Sequence, residues 1–277
     1  INWHTAFQQA MRAEFFEYGN ALEYHDEFQL TSGAVKIDLL IIKLKRALQI
    51  KKSIGQIFRQ SNVIEYKSPN VSVSIFDYYK LRAYASFYAE RERTRMSDMS
   101  MTLVVTYRKR SLLNDLNTEF EVNNAAPGIY YVSGETCPTQ IIVSSELPRD
   151  DCRWLYSLRS DVGMDDVESM MTQGIAVYSE KVKLDAYKDA FIQANFNTLE
   201  ELKTKMGHKF IDLIRDEVAK TKAESVLSFL KFRFKKVPRN IEKAVLSYTD
   251  LTALESLIQC AAVCGSIEEF SESLVHG

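Results

Sequence analysis

Ser61-Asn62-Val63-Ile64-Glu65-Tyr66-Lys67-Ser68-Pro69 sets an acid and a base two residues apart inside an apolar run. The run reads as a strand. Side chains alternate between its faces, so Glu65 and Lys67 share one face while Ile64 and Tyr66 take the other. A carboxylate and an ammonium are thereby held side by side. Upstream, Lys36-Ile37-Asp38-Leu39-Leu40-Ile41-Ile42-Lys43 is a second apolar run holding one acid. An ionised carboxylate in a buried strand is costly unless a cation or hydrogen bonds satisfy it, so Asp38 needs a partner.

Working outward, Trp3, Phe7, Ala10, Met11, Phe15, Tyr18 and Leu22 recur near helical spacing and predict an amphipathic helix over 3–23. Glu27 to Leu30, the turn residues Thr31-Ser32-Gly33 and the run 35–43 predict a hairpin whose second strand carries Asp38. Ser68-Pro69 closes the strand 62–67, because proline cannot donate to a ladder and restricts the residue before it. Ser74-Ile75-Phe76-Asp77 predicts a helix start with Ser74 as N-cap and Asp77 at the third helical position, the helix running to about Glu92. Strands are expected at 101–107, 128–132 and 139–143, and a helix over 148–160 opened by Pro148. The order α-β-β-β-α-β-β-β-α implies an α/β fold, a mixed central sheet flanked by helices. After Gly163, helical signals replace strand signals over 165–174, 180–195, 198–206, 208–231, 238–247 and two shorter segments. The expected division is an α/β domain over 1–162 and an all-α region over 163–277.

Composition bounds the function classes. With 277 residues, 46% hydrophobic and 26% charged, the chain has the makeup of a folded globular protein with a sizeable core. Its formal net charge of −2 provides no global attraction for polyanions, so a nucleic-acid site has to be a local basic patch. No apolar stretch approaches the roughly 20 residues of a membrane span and no signal-peptide plan opens the chain, so a cytoplasmic protein with no membrane partner is expected. Cys137, Cys152, Cys260 and Cys264 do not read as a disulfide framework, and Cys260 with Cys264 lacks the second ligand pair of a zinc site. His4, His25 and His208 have no metal-ligand spacing, and phosphate-binding glycine loops are absent, so ATP or NAD chemistry is not indicated.

Asp38, Glu65 and Lys67 together form a constellation that phosphodiester cleavage could use. Cleaving one takes a metal that offsets phosphate charge and activates water, and hard divalent cations prefer oxygen ligands, which Asp38 and Glu65 offer. Lys67 would orient or help deprotonate the attacking water, or stabilise developing negative charge. A buried ion-pair network of Asp38, Glu65 and Lys67 without turnover is the competing reading.

The phrase Ile37-Asp38-Leu39-Leu40-Ile41-Ile42-Lys43, then Ile54-Gly55-Gln56-Ile57-Phe58-Arg59, then Asn62 to Pro69, then Asp77-Tyr78-Tyr79-Lys80 and Tyr84-Ala85 resembles the PD-(D/E)XK nuclease superfamily, and within it bacterial PD-(D/E)XK nuclease family transposase-like proteins. The likeness is close over 1–90 and looser over 91–160, where Pro127 to Tyr130 and Gln140 to Val143 carry it. Ile37 stands where the signature nominally has proline. The resemblance implies a restriction-endonuclease-like fold and hydrolysis of nucleic acid, DNA above all, with Mg2+ or Mn2+. It implies Asp38, Glu65 and the Tyr66 carbonyl as metal ligands and Lys67 in the catalytic set. A helical glutamate completes that set: Glu14, with its neighbour Glu17 as substitute. It also leaves room for a homodimer, and for a non-catalytic nucleic-acid-binding or regulatory protein that keeps the fold.

Phosphate contacts are expected from Lys43, Lys45, Arg46, Lys51 and Lys52, which begin just past the Asp38 strand, and from Lys80 on the following helix. The other basic runs, Arg91-Arg93-Arg95, Arg108-Lys109-Arg110 and Lys231 through Arg239, read first as solvated faces.

Overall fold

Asn2 opens the first helix, its side-chain oxygen accepting the Thr5 N–H at 3.3 Å. In the computed structural model, which describes residues 1–26, 39–179, 181–206 and 208–274, that helix is α1 (Trp3–Glu14). It stops short of residue 23. The chain passes into a 3-10 segment, Phe16–Ala21, in which Gly19 takes φ 44°, a region open to glycine, and emerges as β1 (Leu22–Asp26). Helical spacing persisted in the sequence because Phe15, Tyr18 and Leu22 enter the same core from different backbone conformations. The expected strand 27–30, its turn and residues 35–38 lie outside the described residues.

Among the described residues seven strands form one mixed sheet in the order β1-β2-β3-β4-β7-β6-β5. They are β2 (Leu39–Leu44), β3 (Ser61–Lys67), β4 (Met99–Val105), β5 (Glu121–Ala126), β6 (Ile129–Ser133) and β7 (Thr139–Val143). β1, β2 and β3 pair antiparallel, β3 with β4 and β4 with β7 pair parallel, and β7, β6 and β5 pair antiparallel. The β3–β4 crossover contains α2 (Ile75–Glu92). The fold class is thus the expected one, a mixed α/β sheet with flanking helices and a helical C-terminal region.

Two elements between β4 and β6 escaped the sequence reading: α3 (Arg110–Glu119) and the edge strand β5. Only Leu112 and Leu116 of α3 are buried, and β5 is a polar, largely exposed Glu-Val-Asn-Asn-Ala-Ala, so neither has the apolar pattern that marks a covered element. The helix expected over 148–160 reduces to α4 (Arg153–Tyr156), preceded by a turn in which the Pro148 carbonyl accepts the N–H groups of Asp151 and Cys152.

Burial follows from strand alternation. On one face Ile42, Ile64, Tyr66, Val104 and Ile142 pack with Phe7, Met11 and Trp154, the Phe7 ring stacked on Tyr66 at 4.4 Å between centroids. On the other, Ile41, Val63, Leu103, Val105 and Ile141 pack with Tyr78, Leu81, Ala85 and Tyr88 of α2. β4 and β7 are buried along their whole length.

The C-terminal helices are α5 (Met164–Ser169), α6 (Ala176–Tyr178), α7 (Asp185–Ala194), α8 (Phe196–Met206), α9 (His208–Phe234), α10 (Arg239–Ser247), α11 (Leu251–Val263) and α12 (Ile267–Ser273), with a π-helical turn before α6. The core does not break at residue 163. Val167, Met170, Tyr187, Phe191 and Leu202 belong to the same apolar cluster as α1, and the Gln9 side chain accepts the Tyr187 N–H at 2.8 Å. Among the described residues a separate cluster runs from Ala219 of α9 to Phe270. Among the described residues no helix is long and apolar enough to cross a membrane.

Candidate active site

β3 ends where Pro69 forbids continuation, and its last two odd positions project from the α2 side of the sheet. Glu65 is 4% exposed. Lys67 reaches back to it, Nζ to Oε1 at 3.0 Å, and forward to Asp77 Oδ1 at 2.9 Å. Asp77 is held by the start of α2, its Oδ2 accepting the Ser74 N–H at 2.9 Å. One aspartate therefore caps a helix and anchors the lysine of the preceding strand. The capping role was legible from Ser74-x-x-Asp77; the bond to Lys67 was not, because it depends on how α2 leaves β3.

Electrostatics follow from burial and these contacts. Burial drives the Glu65 carboxyl upward, and the charges of Lys67, Lys80 and His4 only partly offset it. For Lys67, burial pulls downward most strongly, yet Asp77 and Glu65 together outweigh it and the ammonium is raised. Asp77 is lowered: burial opposes its charge, but Lys67 and the Ser74 N–H prevail. Lys67 is therefore an ammonium at neutral pH. Its raised value means that the pairing stabilises the fold fully below 10.5, the ordinary lysine value, and is lost as pH climbs through the raised one. Denaturant unfolding followed from neutral to strongly alkaline pH should show Lys67→Met with a shallower alkaline fall than the parent; superimposable alkaline limbs would remove the pair as a contributor.

One oxygen is unspent. Glu65 Oε2 is buried with no hydrogen-bond partner among the described residues. At the far end of the β2–β3 ladder the Leu44 N–H donates to the Gln60 carbonyl at 2.9 Å, and ladder alternation then turns the carbonyls of 62, 64 and 66 to the same β2 side. Leu39, which follows Asp38 in the chain, is the register partner of Glu65. Asp38 itself lies outside the described residues. Among the described residues no group of three or more His, Cys, Asp or Glu is placed to hold a metal ion; the described part of the site holds one carboxylate oxygen without a partner among those residues, and the Tyr66 carbonyl is turned toward β2. Both are the hard oxygen donors that Mg2+ or Mn2+ takes.

Glu14 is elsewhere. It ends α1, on the opposite face of the sheet, where Oε1 accepts the N–H groups of Trp154 and Leu155 at 2.7 and 2.9 Å and Oε2 meets Lys52 Nζ at 2.8 Å. Lys52 also donates to the Asp151 carbonyl, and the Asp151 side chain accepts from Ser53. Every oxygen of Glu14 is used in fastening α1 to the 51–53 turn and to α4, which makes it a structural clamp rather than a member of the Glu65 cluster. Glu17, its proposed substitute, is exposed on the rim of the same polar cleft of about 420 Å³.

The basic residues also separate. Lys43 pairs with Glu92 at 2.7 Å. Lys45 and Arg46, with Arg59, line a cleft of about 700 Å³ beyond Leu44, whose register opposes residue 60, whereas Leu39 opposes Glu65. Five strand residues, about 17 Å, therefore lie between that cleft and the Glu65 carboxylate. Lys51 is exposed at the Glu14 cleft and Lys52 is spent on Glu14. Of the six cations expected to contact phosphate, Lys80 alone sits at the Glu65 cluster, where its charge acts on both Glu65 and Asp77. His4, which acts on Glu65 from the start of α1, was set aside in sequence because it has no metal-ligand spacing.

No protein-family model, no curated protein and no solved structure matches this chain.

Proposed function

We propose that this chain hydrolyses phosphodiester bonds of nucleic acid, DNA in the first instance, as a metal-dependent nuclease of the PD-(D/E)XK, transposase-like kind that its sequence resembles. The observation that carries the reading is the Glu65-x-Lys67 pair at the C-terminal end of β3, bonded at 3.0 Å, with the second Glu65 oxygen buried and without a partner among the described residues. Two features support it. The pair lies at the carboxyl end of a strand with a parallel neighbour, where open α/β sheets bind ligands. The order helix, three antiparallel strands, crossover helix and parallel strand is also the mixed, helix-flanked sheet that the resemblance implies.

Glu65 Oε2 and the Tyr66 carbonyl would hold a divalent cation, with Asp38 as the second carboxylate. When bound, the cation supplies charge neutralisation at the phosphate and an activated water. Lys67, kept protonated by its two acids, acts by positioning the phosphate and stabilising negative charge rather than by removing a proton. Lys80 adds a second positive charge on the same side, at an exposed position open to a phosphate.

A second reading has its own observation. Lys67 pairs with one oxygen of each of two carboxylates, which is what a structural tie between β3 and α2 in a binding or regulatory protein of this fold would use. Incubating the protein with supercoiled plasmid and labelled DNA, with Mg2+ or Mn2+ and with chelator, separates the two. Metal-dependent nicking or linearisation is expected, and calorimetric titration should show Asp38→Asn losing metal affinity. Absence of metal-dependent cleavage on every DNA and RNA tried sinks the nuclease reading.

A further inference from the structure

We propose that the turn between α9 and α10 is a binding surface for single-stranded nucleic acid, with Lys235, Lys236, Arg239 and Lys243 on phosphates and Phe232 stacked on a base. In a chain of net charge −2, residues 225–241 hold Lys231, Arg233, Lys235, Lys236 and Arg239 and no acid. Two of these cations serve the fold: Lys231 pairs with Glu242 at 2.8 Å, and Arg233 donates to the Ala261 carbonyl at 2.8 Å. Lys235, Lys236, Arg239 and, one turn into α10, Lys243 are exposed and have no side-chain ion pair or hydrogen bond among the described residues.

Two further observations distinguish this patch from an ordinary solvated face. Phe232 is 87% exposed in the middle of it, and Phe229, one turn earlier, is 45% exposed, while Val226, Leu230, Ile241 and Val245 from the same helices are buried. The apolar face of the helix pair is thus already spent on its own core, and the two rings lie outside it. Lys235 ends α9 at φ 61°, a left-handed position that glycine ordinarily fills at lower cost.

The partner follows from the chemistry. Cations without counter-acids attract a polyanion, and an exposed ring stacks on a base face that a single strand presents but a duplex hides within its own stack. The patch belongs to the α9–α12 cluster, away from the sheet that holds Glu65, so it stands whether or not that site cleaves.

The test uses the full chain in chelator, with fluorescence anisotropy of a labelled oligothymidylate. Four phosphate contacts predict a slope of about −3 for log affinity against log salt, about −0.7 for each contact. The combined variant Lys235→Gln, Lys236→Gln, Arg239→Gln and Lys243→Gln should flatten that slope and weaken binding at least about tenfold at low salt, with an unchanged melting temperature. Phe232→Ala should weaken binding by about 5- to 150-fold and leave the slope alone. The proposal is overturned if the combined variant binds like the parent, if Phe232→Ala has no effect, or if a duplex of equal length binds as well. Binding to phosphatidylserine vesicles in place of the oligonucleotide overturns it too.

Discussion

Glu65→Gln should abolish metal-dependent cleavage, a loss of at least about 10²–10⁴ in rate, while the protein melts at or slightly above the parent temperature. The substitution keeps the shape of a side chain that is 4% exposed and removes only its charge and the basicity of Oε2, a carboxylate oxygen without a partner among the described residues. Burial raises the Glu65 carboxyl, so its ionised form costs the fold stability at neutral pH. A neutral amide removes that cost, and Lys67 keeps Asp77 at 2.9 Å. Lys67→Ala, the test that the sequence invites, mixes two effects. It removes the ammonium and also leaves Glu65 buried without its partner, a loss on the order of 3–5 kcal/mol when a buried pair is broken. Plasmid cleavage and thermal unfolding measured on Glu65→Gln keep the two apart: full cleavage by a variant of parental stability removes Glu65 from the chemistry.

The largest loss of stability is expected from Lys52→Ala, about 3–5 kcal/mol, or roughly 6–20 °C in melting temperature. Lys52 is the cation of a buried carboxylate: Glu14 Oε2 lies 2.8 Å from its ammonium, and the two backbone donors of α4 occupy the other oxygen. Burial raises the Glu14 carboxyl above its ordinary 4.5 even with Lys52 present. Without Lys52 the ionised form is costlier still, so the deficit should grow as pH rises through the raised Glu14 value and shrink below it as Glu14 protonates in both proteins. Cleavage per folded molecule should be unchanged, because the clamp is on the opposite sheet face from Glu65. Lost cleavage in a Glu14→Gln or Lys52→Ala protein that melts like the parent would return Glu14 to the catalytic set.

These two variants divide residues that a linear reading groups together. Glu14 and Glu65 are both buried glutamates with a lysine partner, and on that description alone either suits a metal site. Glu14 spends both oxygens on protein donors, whereas Glu65 keeps one in reserve. The basic stretch after β2 divides in the same way. Its cations follow the Asp38 strand closely in the chain, yet an antiparallel strand carries the chain away from its own start. Lys45 and Arg46 therefore emerge at the far end of β2 from Glu65, while Lys80, later in sequence, arrives beside it through the α2 crossover.

By itself the sequence determined the elements whose signal is local: the strand holding Glu65 and Lys67 on one face, its stop at Pro69, the Ser74 start of α2, the buried strands β4 and β7, and the helical C-terminal region. Alternation, capping and proline sterics act over a few residues and leave a readable trace. Tertiary structure alone decided where α1 ends, since helical periodicity ran on across Gly19. It also placed the polar edge elements α3 and β5, kept α7 in the core of the sheet, joined Asp77 to Lys67 and sent Glu14 to Lys52. Each of these depends on which surfaces meet after the chain reverses or crosses over, and a side chain's partner across such a gap is set by register and packing rather than by its neighbours in sequence.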